Sequence, residues 1–263
     1  GLAIADKLRT QVTSINQGIS NGNSAVALLQ ITDKSMAEQS KILDTIKSKL
    51  IQANTDTTST AGRTAIAKDV TKLLQQLNNI GEQTNYNGTN LLQKARTTLN
   101  ASTEANLTAA RSAKGGLSFQ IGEGTADLIT TRTINSNVAG LKLSALAKAV
   151  RSGAKVSAGA TAGTTGVFTR AMAQSGQKAI DKAITTLNGY RGDIGSTQNQ
   201  VESAVRNLMT QSTNIKAAES VIRDVDYAEE SANFNKLNII SQAGSYAISQ
   251  SNAVSQNVLR LLQ

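Results

Sequence analysis

The sequence predicts a mainly α chain: a long antiparallel coiled-coil rod or helical bundle with a small β-hairpin region. Three observations predict it. Stepping by seven from Ile180 meets Leu187, Ile194, Val201, Leu208, Ile215 and Ile222, all apolar, within a stretch from Gln177 to Arg223 that reads as one long helix. A row of that period is a coiled-coil seam. A second row at the other end of the chain steps from Leu8 through Ile15, Gly22, Leu29, Met36, Leu43 and Leu50, and only the glycine interrupts it. Third, proline is absent from all 263 residues, so the strongest helix breaker is missing.

Neither long helix is secure alone. Burying seven seam residues yields a gross of roughly 10 to 20 kcal/mol, at about 1.5 to 3 kcal/mol each. Ordering entropy cancels most of it. An antiparallel pairing of the two chain ends, closed by a middle region, satisfies both stripes. Composition agrees: 3% aromatic and 39% hydrophobic content fit an elongated body with a thin core better than a thick globule. Cysteine and histidine are both absent. That excludes disulfides, thiolate zinc sites, Cys or His nucleophile chemistry and imidazole acid–base catalysis. No catalytic, cofactor-binding or metal-binding residues are identified. No apolar run approaches 18 residues, so no membrane span is expected.

The net charge of +9 is unevenly placed. Residues 94–172 hold ten Lys or Arg against three Asp or Glu, whereas residues 173–263 balance at eight and eight. Nucleic-acid binding needs stacking aromatics near such cations, and the basic middle offers only Phe119 and Phe168, so a solvated basic surface is the expectation.

In chain order, residues 1–53 read as the first rod, with a companion row of Val12, Ile19 and Val26 that fades at Asp33. Gly1 enters with helical character and no N-cap before Leu2, and the expectation is that residues precede it. Asn54 to Gly62 carries turn chemistry. A short amphipathic helix follows, with Ile66, Val70, Leu73, Leu74, Leu77 and Ile80 at three- and four-residue spacings and Gly81 as its stop. Asn85-Tyr86-Asn87-Gly88 is a turn that re-enters at Leu91-Leu92. Residues 94–115 read as a surface insertion or short helix. Leu117 to Ile121 and Leu128 to Ile134 alternate at period two across Gly122-Glu123-Gly124, which predicts a hairpin. That Gly-x-Gly lacks the strand-to-helix setting and Lys-Ser/Thr of a phosphate loop, so it reads as a plain turn. Residues 152–167 are of low complexity and read as a flexible exposed loop.

The seam helix then runs to about Arg223 and gives way to Asp224-Val225-Asp226-Tyr227-Ala228-Glu229-Glu230, a solvated face or partner contact rather than a catalytic cluster. The last segment carries Phe234, Leu237, Ile240, Gly244, Ile248, Val254, Val258 and Leu261 at helical spacing. That stripe has no remaining partner within the chain, and an amphipathic helix without a partner usually associates with another copy or another protein. Four segments result: rod helices over 1–93, a central region over 94–172, a rod helix over 173–223 and an assembly helix over 224–263.

At this point a family resemblance enters. Gly1-Leu2-Ala3-Ile4-Ala5-Asp6, Asn21-Gly22-Asn23, Gln83-Thr84-Asn85-Tyr86-Asn87-Gly88, Phe119-Gln120-Ile121-Gly122, Arg223 to Glu230 and Asn257-Val258-Leu259-Arg260-Leu261-Leu262 resemble bacterial flagellin in order and spacing. Only about 94–116 and 145–172 are uncovered. The resemblance implies a secreted structural subunit of the flagellar filament, a homopolymer for motility, exported by the flagellar export apparatus and held at its C-terminal helix by an export chaperone. It implies that Phe234 to Gln263 is half of an inner coiled coil whose mate precedes Gly1, so that the chain as it stands is not expected to polymerise normally. It makes Thr161, Thr164 and Thr165 candidate O-glycosylation acceptors. Where stimulating flagellins carry Arg-Val-Arg-Glu-Leu for the animal flagellin receptor, this chain reads Thr45-Ile46-Lys47-Ser48-Lys49, so weak or absent recognition is expected. Two other readings of the architecture are a hook–filament junction protein and a surface adhesin or receptor whose basic middle contacts acidic polysaccharide. An enzyme fits least.

Overall fold

The computed structural model describes residues 1–93, 113–157 and 159–262. The expected insertion or helix over 94–115 lies almost wholly outside them. Among the described residues are four helices and two short hairpins: α1 (Leu2–Ala53), α2 (Thr60–Gln83), β1 (Asn85–Tyr86), β2 (Thr89–Asn90), β3 (Ser118–Gln120), β4 (Leu128–Thr130), α3 (Ser144–Ala154) and α4 (Arg170–Leu262). The chain divides into two compact units. One is Gly18–Arg206; the other joins Gly1–Gln17 to Asn207–Gln263.

In the larger unit α1 and α4 run antiparallel. Asn54 Nδ2 donates to Gln177 Oε1 at 2.8 Å, the Lys47 ammonium lies 2.6 Å from Asp181 and Arg191 Nε lies 3.0 Å from Asp33, so ascending positions on one helix meet descending positions on the other. Leu29, Met36, Leu43 and Leu50 of the first heptad row are all fully buried. The companion row differs from the Val12, Ile19, Val26 expectation. Val12 is buried, but Ile19 and Val26 are only half-buried, and from Gly18 onward the buried row is Gly18, Ala25, Thr32, Gln39, Ile46 and Ala53. A straight helix of 3.6 residues per turn slides about 20° per heptad against a seven-residue repeat, so one row hands over to the next after a few turns. The new row was invisible to a hydrophobicity count because every member but Ile46 is small or polar.

Helix α2 packs as the expected third element. Ser59 caps it, accepting from the Gly62 N–H at 3.0 Å. Gly81 does not stop it. The helix continues to Gln83, and Gly81 is buried where a Cβ would already touch Gln93 Oε1 at 3.4 Å and Asn137 Cβ at 3.6 Å. Those are ordinary van der Waals distances, so a small side chain would fit there as well. Two arginines tie down the α1–α2 turn: Arg63 donates to the carbonyls of Ala53 and Thr55, and Arg170 to that of Asn54 and to Asp56 Oδ1. These donors serve carbonyls that the end of α1 leaves without helical partners.

The turn at Asn85 to Asn90 is a two-residue hairpin, with Asn87 and Gly88 both at positive φ (50° and 82°), the geometry that favours the Asn-Gly pair. The second predicted hairpin forms too, pairing Ser118, Phe119 and Gln120 with Thr130, Ile129 and Leu128. Its glycine turn is filled by the chain's own carboxylate: Asp127 Oδ2 accepts from Gly124 N–H at 2.9 Å. The hairpin docks on α1 through Asn21 Nδ2, which donates to the Gln120 carbonyl at 2.9 Å.

Helix α3 lies inside what sequence reading left as an uncovered stretch and the start of a loop. Leu146, Ala147, Val150 and Gly153 form its buried face, which packs against α2. Residues 157 and 159–165 are largely exposed as expected, but the segment is anchored at both ends, by Gly153 and by buried Val167 and Phe168. A buried amide network joins α1, α2 and the stretch before α3. Gln39 Nε2 donates to the carbonyls of Leu77 (3.2 Å) and Ser136 (2.7 Å), Asn137 Nδ2 to Gln93 Oε1 (2.9 Å), and the Val138 N–H to Asn78 Oδ1 (2.8 Å). These bonds hold the stretch from Ser136 to Leu143 against α1 and α2.

In the smaller unit the first turns of α1 run antiparallel to α4. Arg223 reaches Asp6 at 3.2 Å while donating to Glu219 at 2.8 Å, and Ser212 Oγ lies 3.4 Å from Asn16 Oδ1. No helix boundary occurs at Arg223. Residues 224–233 contain neither glycine nor proline, and α4 continues through the acidic run to Leu262.

Candidate functional site

The seam residues of α4 divide with the units. Ile180, Leu187, Ile194 and Val201 are buried in the larger unit, where α1 and α2 supply a layered core. Leu208 is still buried, but Ile215 and Ile222 are only half-buried. In the smaller unit just two helices meet, so each leaves much of its surface uncovered.

Beyond that pairing, every residue from 232 to 262 is exposed. The predicted stripe residues Phe234, Leu237, Ile240, Ile248, Val254, Val258 and Leu261 are 49% to 87% exposed. At 100° per residue, Leu237, Ile240, Gly244, Ile248 and Val258 fall on one face, whereas Val254 lies to its side and Phe234 and Leu261 stand half a turn from each other, so the seven predicted residues do not form a single stripe. Sequence reading missed a second set. Ile239 and Tyr246, 66% and 67% exposed, lie about half a turn away from that face. Their seven-residue spacing was the available signal, and attention to the first stripe hid it. A helix with apolar groups on opposite sides is one meant to be covered from more than one direction.

The acidic run of Asp224, Asp226, Glu229 and Glu230 lies on the same continuous helix. No group of three or more metal-ligating side chains occurs among the described residues. No described helix is long and apolar enough to cross a membrane.

The five residues Thr45, Ile46, Lys47, Ser48 and Lys49 occupy one turn and a half of α1 in the larger unit. Ile46 is fully buried. Lys47 and Lys49 are engaged within the chain, pairing with Asp181 and with Asp69 (3.3 Å). The sequence-based alternative, that both lysines only solvate the outer face and touch a neighbour, omitted these internal partners because Asp69 and Asp181 lie far away in sequence. Thr45 and Ser48 remain exposed, as do Thr161, Thr164 and Thr165.

Comparison with known proteins fits this geometry to a family. Residues 1–97 match the bacterial flagellin N-terminal helical region and residues 177–262 the bacterial flagellin C-terminal helical region. The flagellin of Bacillus subtilis is 30% identical over 279 residues, an alignment that covers 100% of this chain and 86% of that protein. The chain belongs to the bacterial flagellin family. Membership makes it a structural subunit of the flagellar filament. At the level of fold alone, the crystal structure of Bacillus cereus flagellin matches with a TM-score of 0.51 at 22% identity, covering 76% of this chain and 94% of that one. A putative flagellar hook-associated protein from Vibrio parahaemolyticus matches with a TM-score of 0.65 at 12% identity, covering 83% and 95%. The family's place is in the exported, extracellular filament.

Proposed function

We propose that this filament subunit assembles through the exposed segment of α4, residues 232–262, and that this segment is the part of the molecule kept uncovered until assembly. The observation that carries the reading is its two-sided apolar character, with Leu237, Ile240 and Ile248 on one face and Ile239 and Tyr246 on the other. One mate covers one face. Covering both requires the several neighbours of a lattice, which suits a homopolymer better than a closed dimer. The units then divide the work, Gly18–Arg206 as the rod body and the remainder as the assembly part, with no catalytic role for either.

Before assembly the same surface is an aggregation hazard, so an export chaperone that sheathes the stripe, and passage through the flagellar export apparatus, fit its chemistry. Localisation follows as extracellular, at the cell surface. The hook–filament junction reading rests on shared fold alone.

The test is seeded polymerisation followed by electron microscopy. Leu237→Asp/Ile240→Asp removes about 3 to 6 kcal/mol of apolar burial per subunit, so the critical concentration should rise at least about a hundredfold. The paired Ile239→Asp/Tyr246→Asp variant should also fail. Normal assembly by either variant would overturn the reading.

A further inference from the structure

A cavity of about 860 Å³ lies between the loop at Gly140 to Lys142 and the first turns of α4, wholly within the larger unit. Three lysines line it: Lys142, Lys178 and Lys182. Lys178 and Lys182 stand four residues apart on one helix face, an arrangement that like-charge repulsion disfavours. The acid in the lining is Asp181, already engaged by Lys47 from outside the groove. Lys142 is held in the left-handed region at φ 59°, which a side chain of its kind seldom adopts. What holds it there is the packing around it: Leu141 and Leu143 on either side are buried, their N–H groups donate to the Asn137 and Val138 carbonyls, and Asn137 and Val138 are themselves fixed by the buried amide network. The three lysines therefore line the groove from a rigid loop and a rigid helix.

The remaining lining narrows the ligand class. Thr185 and Thr186 offer hydroxyls that can both donate and accept, and half-buried Tyr190 adds an aromatic side chain to the lining. Ammonium groups suit carboxylates as point charges, hydroxyls suit sugar hydroxyls, and an aromatic ring suits the apolar C–H face of a pyranose. The volume is in the range of small-ligand sites. We infer that this groove binds a short acidic oligosaccharide, its carboxylates on Lys142, Lys178 and Lys182 and a sugar ring against Tyr190. Of the groove's three cations only Lys142 comes from the basic middle of the sequence.

The experiment is calorimetric titration of the full chain with oligogalacturonate, with tripolyphosphate and with uncharged maltotriose as separate arms. Because a chain of net charge +9 attracts any polyanion, Lys178→Glu/Lys182→Glu is compared with Lys68→Glu/Lys72→Glu, an exposed pair of the same spacing on α2. The groove variant should bind oligogalacturonate at least about tenfold more weakly and the α2 variant within about twofold of the native chain. Tyr190→Ala should weaken oligogalacturonate while leaving the salt dependence of binding unchanged. Equal losses in both lysine variants, or no binding by the native chain, would overturn the site. Tripolyphosphate binding as tight as oligogalacturonate, unaffected by Tyr190→Ala, would overturn the saccharide assignment.

Discussion

Gly22 is the residue at which the first heptad row fails, and the structure gives the reason. A Cβ built there would lie 2.2 Å from Val205 Cγ2, with Ile121 Cδ1 and Val201 Cγ1 at 3.6 and 3.8 Å. Helices α1 and α4 approach closely at this level, and the hairpin's Ile121 packs over the same spot. Val205 cannot swing away cheaply, because a β-branched side chain in a helix has one strongly preferred rotamer. Gly22→Ala therefore sets two opposing effects against each other. Removing a mid-helix glycine gains about 1 kcal/mol of helix propensity, whereas forcing a methyl into a filled contact costs about 1 to 3 kcal/mol. The overlap at 2.2 Å places the cost toward the upper end, so the net is a loss of about 1 to 2 kcal/mol. Shortening the obstruction should release the gain. In a double-mutant cycle of Gly22→Ala with Val205→Ala, followed by urea unfolding read at the helical circular-dichroism band, the coupling should favour the double variant by about 1 to 2 kcal/mol. A single Gly22→Ala variant more stable by the full propensity gain, with no coupling to Val205, would show that the helices are not held that close.

Other consequences are as direct. Gln39→Ala strips the donor from the Ser136 carbonyl inside the buried network and leaves a void, so it should cost about 2 to 4 kcal/mol in urea unfolding. Ser59→Ala removes the α2 cap and should cost about 1 kcal/mol, visible as a lowered Tm. Asp181→Asn releases Lys47 from an exposed pair and should change stability by less than about 1 kcal/mol. In a receptor-reporter assay the chain should activate the animal flagellin receptor weakly or not at all, since the turn at 45–49 presents Thr45 and Ser48 while Ile46 is buried and both lysines are paired internally. Activation equal to that of a stimulating flagellin would refute that expectation.

The long helices were legible because their cores obey a seven-residue rule over many turns, and a repeated pattern outvotes local exceptions. The hairpins were legible because Asn87-Gly88 and the period-two alternation around Gly122 to Gly124 are local codes. What escaped was encoded at long range. Gln39 and Asn78 are buried polar residues whose partners lie on other elements, and Thr32 is buried with its hydroxyl returned to the Leu28 carbonyl of its own helix, so no window of sequence marks them as core. Helix α3 was missed because Ala and Gly supply much of its packing face, and small residues carry little hydrophobic signal although they permit close approach. Gly81 was misread because a glycine near a helix end is also tolerated inside the helix, and α2 runs on past it to Gln83. The continuity of α4 past Arg223 was hidden by a charged run that changes composition without breaking the backbone.

In the candidate assembly surface the first face was legible in part: Leu237, Ile240, Ile248 and Val258 share it and had nothing left to pair with, while Phe234, Val254 and Leu261 of the expected stripe turn away from it. Its second face, through Ile239 and Tyr246, emerged only when exposure was mapped around the whole helix. The measurement that tests the central claim most directly is hydrogen exchange across residues 232–262 in the unassembled chain and after its incorporation into filaments grown from flagellin seeds. Fast exchange before assembly and strong protection after it, at Leu237 and Ile240 and equally at Ile239 and Tyr246, is the result predicted here. Filaments in which this segment exchanges as fast as in the unassembled chain would contradict the claim that it drives assembly.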